Sequence, residues 1–236
     1  MPFTGAFEAV AALAFFRGAK DDHGAVIPPC SVCRTMLNND ATPVEPKRWK
    51  KAVLGLIVAV WSWLMMQAVH ECGHALAAVL SGGRIAKVVL HPLAISRTDI
   101  EPNPHPLPVV WSGPLFGAFA PLALWWVLRR RTPIAVRWLL QVFAGFCLVA
   151  NGGYLMTAFW DPAGDTADLL RLGCPVALVA GVGLTLLASG FAVWHGLGSG
   201  FGVRALPADA GDRLAWLLTV TTVVVAALEA TFSARL

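Results

Sequence analysis

The sequence predicts an all-α, polytopic membrane helix bundle of about five transmembrane helices, with a short hairpin or extended loop after the first. Three observations predict it. Long apolar stretches alternate with short charged or Pro/Gly-rich ones. Of the 236 residues, 57% are hydrophobic and only 14% charged, where a soluble domain carries about a quarter charged. Basic residues collect at alternate ends of the apolar stretches.

Residues 1–50 form an amino-terminal region that reads as partly irregular, with Asp21, Asp22, Pro28, Pro29, Asn38, Asn39 and Asp40. Ala9 to Phe16 is apolar but too short to span a bilayer, and neither a basic stretch before it nor a small-residue cleavage site after it marks a signal peptide. A short helix lying on the membrane or packed on the core is the expectation. Cys30 and Cys33 make a single CxxC. A structural zinc needs four ligands, and His23 adds at most a third, so reduced thiols facing the cytosol are the plain reading.

Lys47, Arg48, Lys50 and Lys51 mark a membrane boundary, and an apolar segment runs from Ala52 to about Leu80, interrupted by Gln67, His70, Glu71 and His74. At about 1.5 Å per residue it exceeds one hydrocarbon core. Gly82 and Gly83 end it. Residues 84–108 follow, with a strand-like Val88 to Leu90 and prolines at 92, 102, 104, 106 and 108, which reads as the hairpin or extended loop. Further spans cover about Val109 to Leu128, Ile134 to Phe159, Pro175 to Trp194 and Leu214 to Thr231. With the amino terminus inside, Lys47 to Lys51, Arg129 to Arg131, Arg137, Arg204 and Arg213 are cytoplasmic, which satisfies the positive-inside rule for five spans. An integral, multi-pass protein of the cell (plasma) membrane with a cytosolic amino terminus follows as the expectation. The net charge of +4 belongs to this topology; no basic stripe interleaves with aromatics, which argues against nucleic acid as a partner. Tryptophans near the span ends fit aromatic belts.

His70-Glu71-Cys72-Gly73-His74 is an H-E-x-x-H pattern inside the first span. Residues four apart share one helix face, so two imidazoles can both reach one zinc ion at about 2.0–2.1 Å. Glu71 lies beside them, placed to take a proton from water on the metal. Burying an acid at mid-membrane costs about 2.5–3.5 kcal/mol on translocon scales, so three ionisable groups within five positions call for a functional reason. A polar face lining a water-filled cavity, or a helix-packing cluster, is the plainer account. His91, His105 and His195 have no partner at ligand spacing and read as surface or interfacial residues. Asn151 reads equally as an interhelical hydrogen-bonding residue. Gly113-Pro114 reads as a kink or close-packing point, and Gly73, Ala77, Ala78 and Ser81 as small residues permitting close helix approach.

The stretch from His70 to Ala78 resembles the zinc motif of the site-2 protease family, the M50 intramembrane metallopeptidases. Ser112 to Gly117 is similar to that family's Gly-Pro element, and Asn151 followed by Asp165 is similar to its Asn-then-Asp element. The resemblance covers about residues 52–174, within a membrane-embedded domain of 51–236. Two departures mark a divergent member: Gly117 stands where the family often has Asn, and Gly164-Asp165 reverses the family's Asp-Gly order with a longer spacing from the Asn. The resemblance implies zinc held by His70, His74 and Asp165, Glu71 as general base, and Asn151 holding substrate backbone. It implies an endopeptidase acting on membrane-spanning or membrane-adjacent segments of a protein or peptide substrate in the lipid bilayer.

Topology bears on the third ligand. The first and third spans run the same way, so the His pair and the loop holding Asp161, Asp165 and Asp168 reach one side of the membrane. Asp168 competes with Asp165, and capping of a short helix, with Asp165 as N-cap, is compatible with either. The alternative function is a non-catalytic protein of the same fold, serving as a binding or chaperone module or an ion pathway. A zinc hydrolase acting on a lipid or small amide is a third reading.

Overall fold

The computed structural model describes residues 48–90 and 96–233. The apolar stretch 9–16, the Cys30/Cys33 pair with His23, and His91 lie outside the described residues. Helix α1 spans Arg48–Leu80 and is followed by strands β1 (Ile85–Val89) and β2 (Arg97–Ile100). Helices α2 (Pro106–Leu128) and α3 (Ile134–Met156) come next, then a 3-10 turn at Thr157–Phe159, the short α4 (Asp165–Arg171), α5 (Val176–His195), a second 3-10 segment at Ser199–Ala205, and α6 (Ala208–Ser233). Five of these helices are long and apolar enough to cross a membrane: Trp49–Leu80, Pro106–Leu128, Ile134–Phe159, Val176–His195 and Asp209–Ala230. The chain is an all-α integral membrane bundle carrying one small hairpin.

The surface is inverted relative to a soluble fold. Leu56, Val79, Leu80, Leu184, Trp216 and Val223 are all more than half exposed, while Gln67, His70, Glu71, His74 and Asn151 are buried. Lipid tails satisfy the first set, and the polar set is turned toward other protein groups, as hydrocarbon demands. Lipid gives no hydrophobic drive between helices, so close approach of small residues carries the packing. A Cβ at Gly152 would lie 2.7 Å from Gly183 O, and one at Gly183 2.8 Å from Gly152 O, so α3 and α5 meet backbone to backbone. Gly73 is similarly pressed against Ser112 O on α2, as its small size foreshadows. One apolar core joins Ala118, Leu148, Leu155, Leu169, Val179 and Leu186 from α2 through α5. Another joins Leu54, Val58, Trp138, Leu214 and Leu218 from α1, α3 and α6.

Two boundaries differ from the sequence expectation. The second spanning helix starts at Pro106, not near Val109, because a proline in the first turn gives up only an N–H that has no helical acceptor. The last helix starts at Ala208, ahead of Leu214; its polar first turns bear Asp209, Asp212 and Arg213, and Asp212 pairs with Lys50 of α1 at 2.9 Å. The strand-like run at Val88 pairs antiparallel with β2, Val88 opposite Thr98 and Val89 opposite Arg97, with an irregularity between Ile85 and Lys87. Cys72, Cys147 and Cys174 are free thiols.

Candidate metal centre

His70 and His74 stand one turn apart on the face of α1 turned toward α2 and α3. Their Nε2 atoms are 3.2 Å apart, and the rings meet edge to face at 4.9 Å between centroids. Asp165, the first residue of α4, brings Oδ2 to 2.8 Å from His70 Nε2 and 3.1 Å from His74 Nε2. Among the described residues, these three form the His/Cys/Asp/Glu group whose ligand atoms lie close enough to share one ion.

The far side of each ring is also engaged. His74 Nδ1 is 2.8 Å from the Val109 carbonyl, which can only accept, so Nδ1 carries a proton. His70 Nδ1 is 2.8 Å from Asn151 Oδ1. With both Nδ1 atoms donating, both Nε2 atoms turn lone pairs toward Asp165 unless a second proton is added. Burial opposes ionisation of Asp165, but the imidazoles of His70 and His74 against it outweigh burial and lower its pKa to about 2, so the group is a carboxylate at neutral pH. Two nitrogen lone pairs and a carboxylate oxygen converging on one point require positive charge between them, as protons or as a cation. A divalent ion with nitrogen and oxygen preferences meets that requirement with both rings neutral.

Space for an ion is kept by a glycine. A Cβ at Gly113 of α2 would collide with His74 Nε2 and lie 2.7 Å from His70 Nε2. The Gly-Pro element therefore does more than bend the helix: position 113 faces the ligand nitrogens directly. A Cβ at Gly117, one turn on, would lie 2.9 Å from Asn151 Nδ2 and 3.0 Å from its Oδ1. Where the family often has Asn, this chain leaves room that the Asn151 carboxamide fills from α3.

Glu71 is 3% exposed and is held by the hairpin: Ser96 Oγ donates to Oε1 at 2.7 Å and Thr98 Oγ1 to Oε2 at 2.6 Å. Ser96 N–H also donates to Gln67 Oε1 at 3.2 Å. Glu71, the three candidate ligands and Asn151 share the wall of one cavity of about 640 Å³, which the hairpin and α2 complete.

The structure thus brings His70, Glu71, His74, Asn151 and Asp165 together. Asp168 lines the same cavity but turns to Arg171 at 2.9 Å and is half-exposed; Asp161 is exposed. The capping expectation is corrected: Gly164, not Asp165, is the N-cap of α4, and Asp165 makes no side-chain cap because its carboxylate is spent on the imidazoles. Gly164 has φ 52, a conformation that favours glycine, and this turns the chain back toward α1. His105 and His195 lie at helix ends.

Four contributors were not singled out by sequence reasoning. Ser96, just before β2, and Thr98 within it are two apart, so extended backbone sets them on one face, which is the signal that could have paired them. Tyr154, the one tyrosine of the chain, sits one turn after Asn151; its Oη accepts Asp165 N–H at 2.7 Å and donates to Ala163 O at 3.1 Å, pinning the ligand loop. The Val109 carbonyl has no sequence signature at all.

Residues 49–151 match the family model described as Peptidase M50B-like. The match holds both histidines, Glu71, Gly113 and Asn151, and stops before Asp165. No curated protein and no solved structure matches the chain.

Proposed function

The chain is an M50-family member by its match over residues 49–151, and from that premise we propose that it is an intramembrane zinc-dependent endopeptidase. The observation that carries the reading is the convergence of His70 Nε2, His74 Nε2 and Asp165 Oδ2 on one point inside a membrane-spanning bundle, with the Glu71 carboxylate in the same cavity. His70, His74 and Asp165 would hold one zinc ion, leaving a fourth position open. When bound, zinc supplies Lewis acidity that activates water and polarises a carbonyl.

The chain's own groups do the rest. Glu71 accepts the proton of the attacking water and returns it to the leaving amine, while Ser96 and Thr98 fix the direction of its carboxylate. Val109 O and Asn151 keep the imidazole lone pairs aimed inward. His70, Glu71 and His74 are buried at the wall of the cavity, so charge developing on the scissile carbonyl meets fixed protein groups in place of bulk water. A site sunk among spanning helices suits a membrane-spanning or membrane-adjacent segment of a protein or peptide. The distribution of basic residues supports a cytosolic amino terminus; the cell (plasma) membrane is the location that belongs to this proposal.

The test joins metal analysis to processing. Detergent-purified protein is expected to hold about one zinc per chain. Glu71→Gln is expected to keep the zinc and to abolish cleavage of membrane segments, read by comparing membrane-derived peptides from cells expressing either form. A folded wild type that refuses added zinc overturns the metal reading. Identical peptide profiles from wild type and Glu71→Gln overturn the peptidase reading.

A further inference from the structure

We infer that Asn151 is a positioning residue for the metal ligand His70, setting its tautomer. The inference rests on the zinc reading above. Its starting point is a backbone carbonyl. Asn151 is 1% exposed, and its Nδ2 donates to Cys147 O, one turn back on α3, at 2.9 Å. A carbonyl can only accept, so the amide nitrogen faces Cys147 and the amide oxygen faces His70. The opposite orientation would set two acceptor oxygens against each other in a buried site. Asn151 Oδ1, 2.8 Å from His70 Nδ1, can only accept as well, so the proton of the neutral ring resides on Nδ1. The lone pair is thereby directed from Nε2 to the point shared with His74 and Asp165.

The relay Cys147 O, Asn151, His70 does through a side chain what Val109 O does directly for His74. One ligand is oriented from α2 and the other from α3, so both imidazoles are locked by helices other than their own. Gly117 is the socket of the relay, because a Cβ there would press on both amide atoms of Asn151. With one N–H of the amide on Cys147 O and its oxygen on His70 Nδ1, the carboxamide plane is fixed from both ends. Such outer partners of metal-bound histidines are worth about 10–100-fold in metal affinity.

The test is zinc affinity of the full chain in detergent, measured by competition with a chromophoric chelator, with thermal unfolding of the zinc-free protein alongside. Asn151→Leu keeps the volume and removes the acceptor; it is expected to weaken zinc by about 10–100-fold with unfolding little changed. Asn151→Asp keeps an acceptor toward His70, and a stronger one, but sets its second oxygen against Cys147 O; it is expected to bind zinc more weakly than wild type and clearly more tightly than Asn151→Leu. A purely structural role would not rank the two in that order. Gly117→Ala leaves Asn151 in place and displaces its amide; it is expected to weaken zinc like Asn151→Leu, and it carries the test should that variant fail to fold. Wild-type affinity in Asn151→Leu or in Gly117→Ala, or an Asn151→Asp as weak as Asn151→Leu, overturns the inference. A folded wild type that binds no zinc overturns instead the reading on which it rests.

Discussion

Asp165 and Asp168 stand one helical turn apart with the same side chain and unlike surroundings. Asp165 is 17% exposed and touches two imidazoles; Asp168 is 50% exposed and touches Arg171, itself 77% exposed. Removing the first leaves two imidazoles and a metal position short of one ligand. Removing the second breaks a solvated ion pair, worth about 0.2–1 kcal/mol. Asp165→Ala is therefore expected to strip zinc from the purified protein. Asp168→Ala is expected to keep about one zinc per chain and to change thermal unfolding only slightly. Metal analysis of the two variants decides the matter, and zinc lost from Asp168→Ala but retained by Asp165→Ala would reverse the assignment. The relevant difference is orientation. Gly164 at φ 52 and the Tyr154 Oη anchor on Asp165 N–H set position 165 toward α1 and leave position 168 at the cavity rim.

Among the elements, the hairpin is the one whose role exceeds its size. Strand β2 is four residues long, yet two of them or their neighbours, Ser96 just before it and Thr98 within it, donate to the two oxygens of Glu71. Hydrogen bonds to a charged group contribute about 1.5–3 kcal/mol, and a base held off its direction loses rate before it loses substrate. Thr98→Val keeps the shape and removes one donor. It is expected to lower turnover about tenfold or more on a membrane segment cleaved by wild type, with KM and zinc content little changed, and Thr98→Ser is expected to restore most of the rate. Turnover unchanged in Thr98→Val would show that Ser96 and α1 alone suffice to hold Glu71. The helices α2 and α3 act differently, as rigid walls: one supplies Val109 O and the Gly113 recess, the other Asn151 and Tyr154.

At the scale of the whole molecule the five spanning helices fix which ends share a side. Arg129 to Arg131 lie between α2 and α3, and the ligand loop follows α3 at its opposite end. The positive-inside rule assigns the first to the cytosol and the second to the other face. Single cysteines placed at Thr132 and at Ala163, in a chain otherwise free of cysteine, test this in intact cells with a membrane-impermeant thiol reagent. Ala163 is exposed, whereas the neighbouring Thr166 is fully buried and would report nothing. Labelling at 163 without labelling at 132 is expected; the reverse pattern would invert the topology.

Span number, the parity that lets the first and third spans deliver ligands to one side, and the His70/His74 pair were all legible in the sequence. Each rests on a local regularity: the length of an apolar run, the sign of charge beside it, or a four-residue spacing on one helix. The M50 resemblance extended this to Gly113 and Asn151 as positions and to Asp165 as a zinc ligand beside the two histidines, with Asp168 left in competition. Tertiary structure alone decided that Asp165 and not Asp168 meets the imidazoles, that Ser96 and Thr98 hold Glu71, that Gly113 faces the ligand nitrogens, and that Asn151 turns its oxygen to His70. These are contacts between segments separated by 25 to 95 residues in the chain. No local periodicity encodes them, because they arise from the angle at which α1, α2 and α3 cross and from the turn at Gly164, and both are set by packing across the whole bundle.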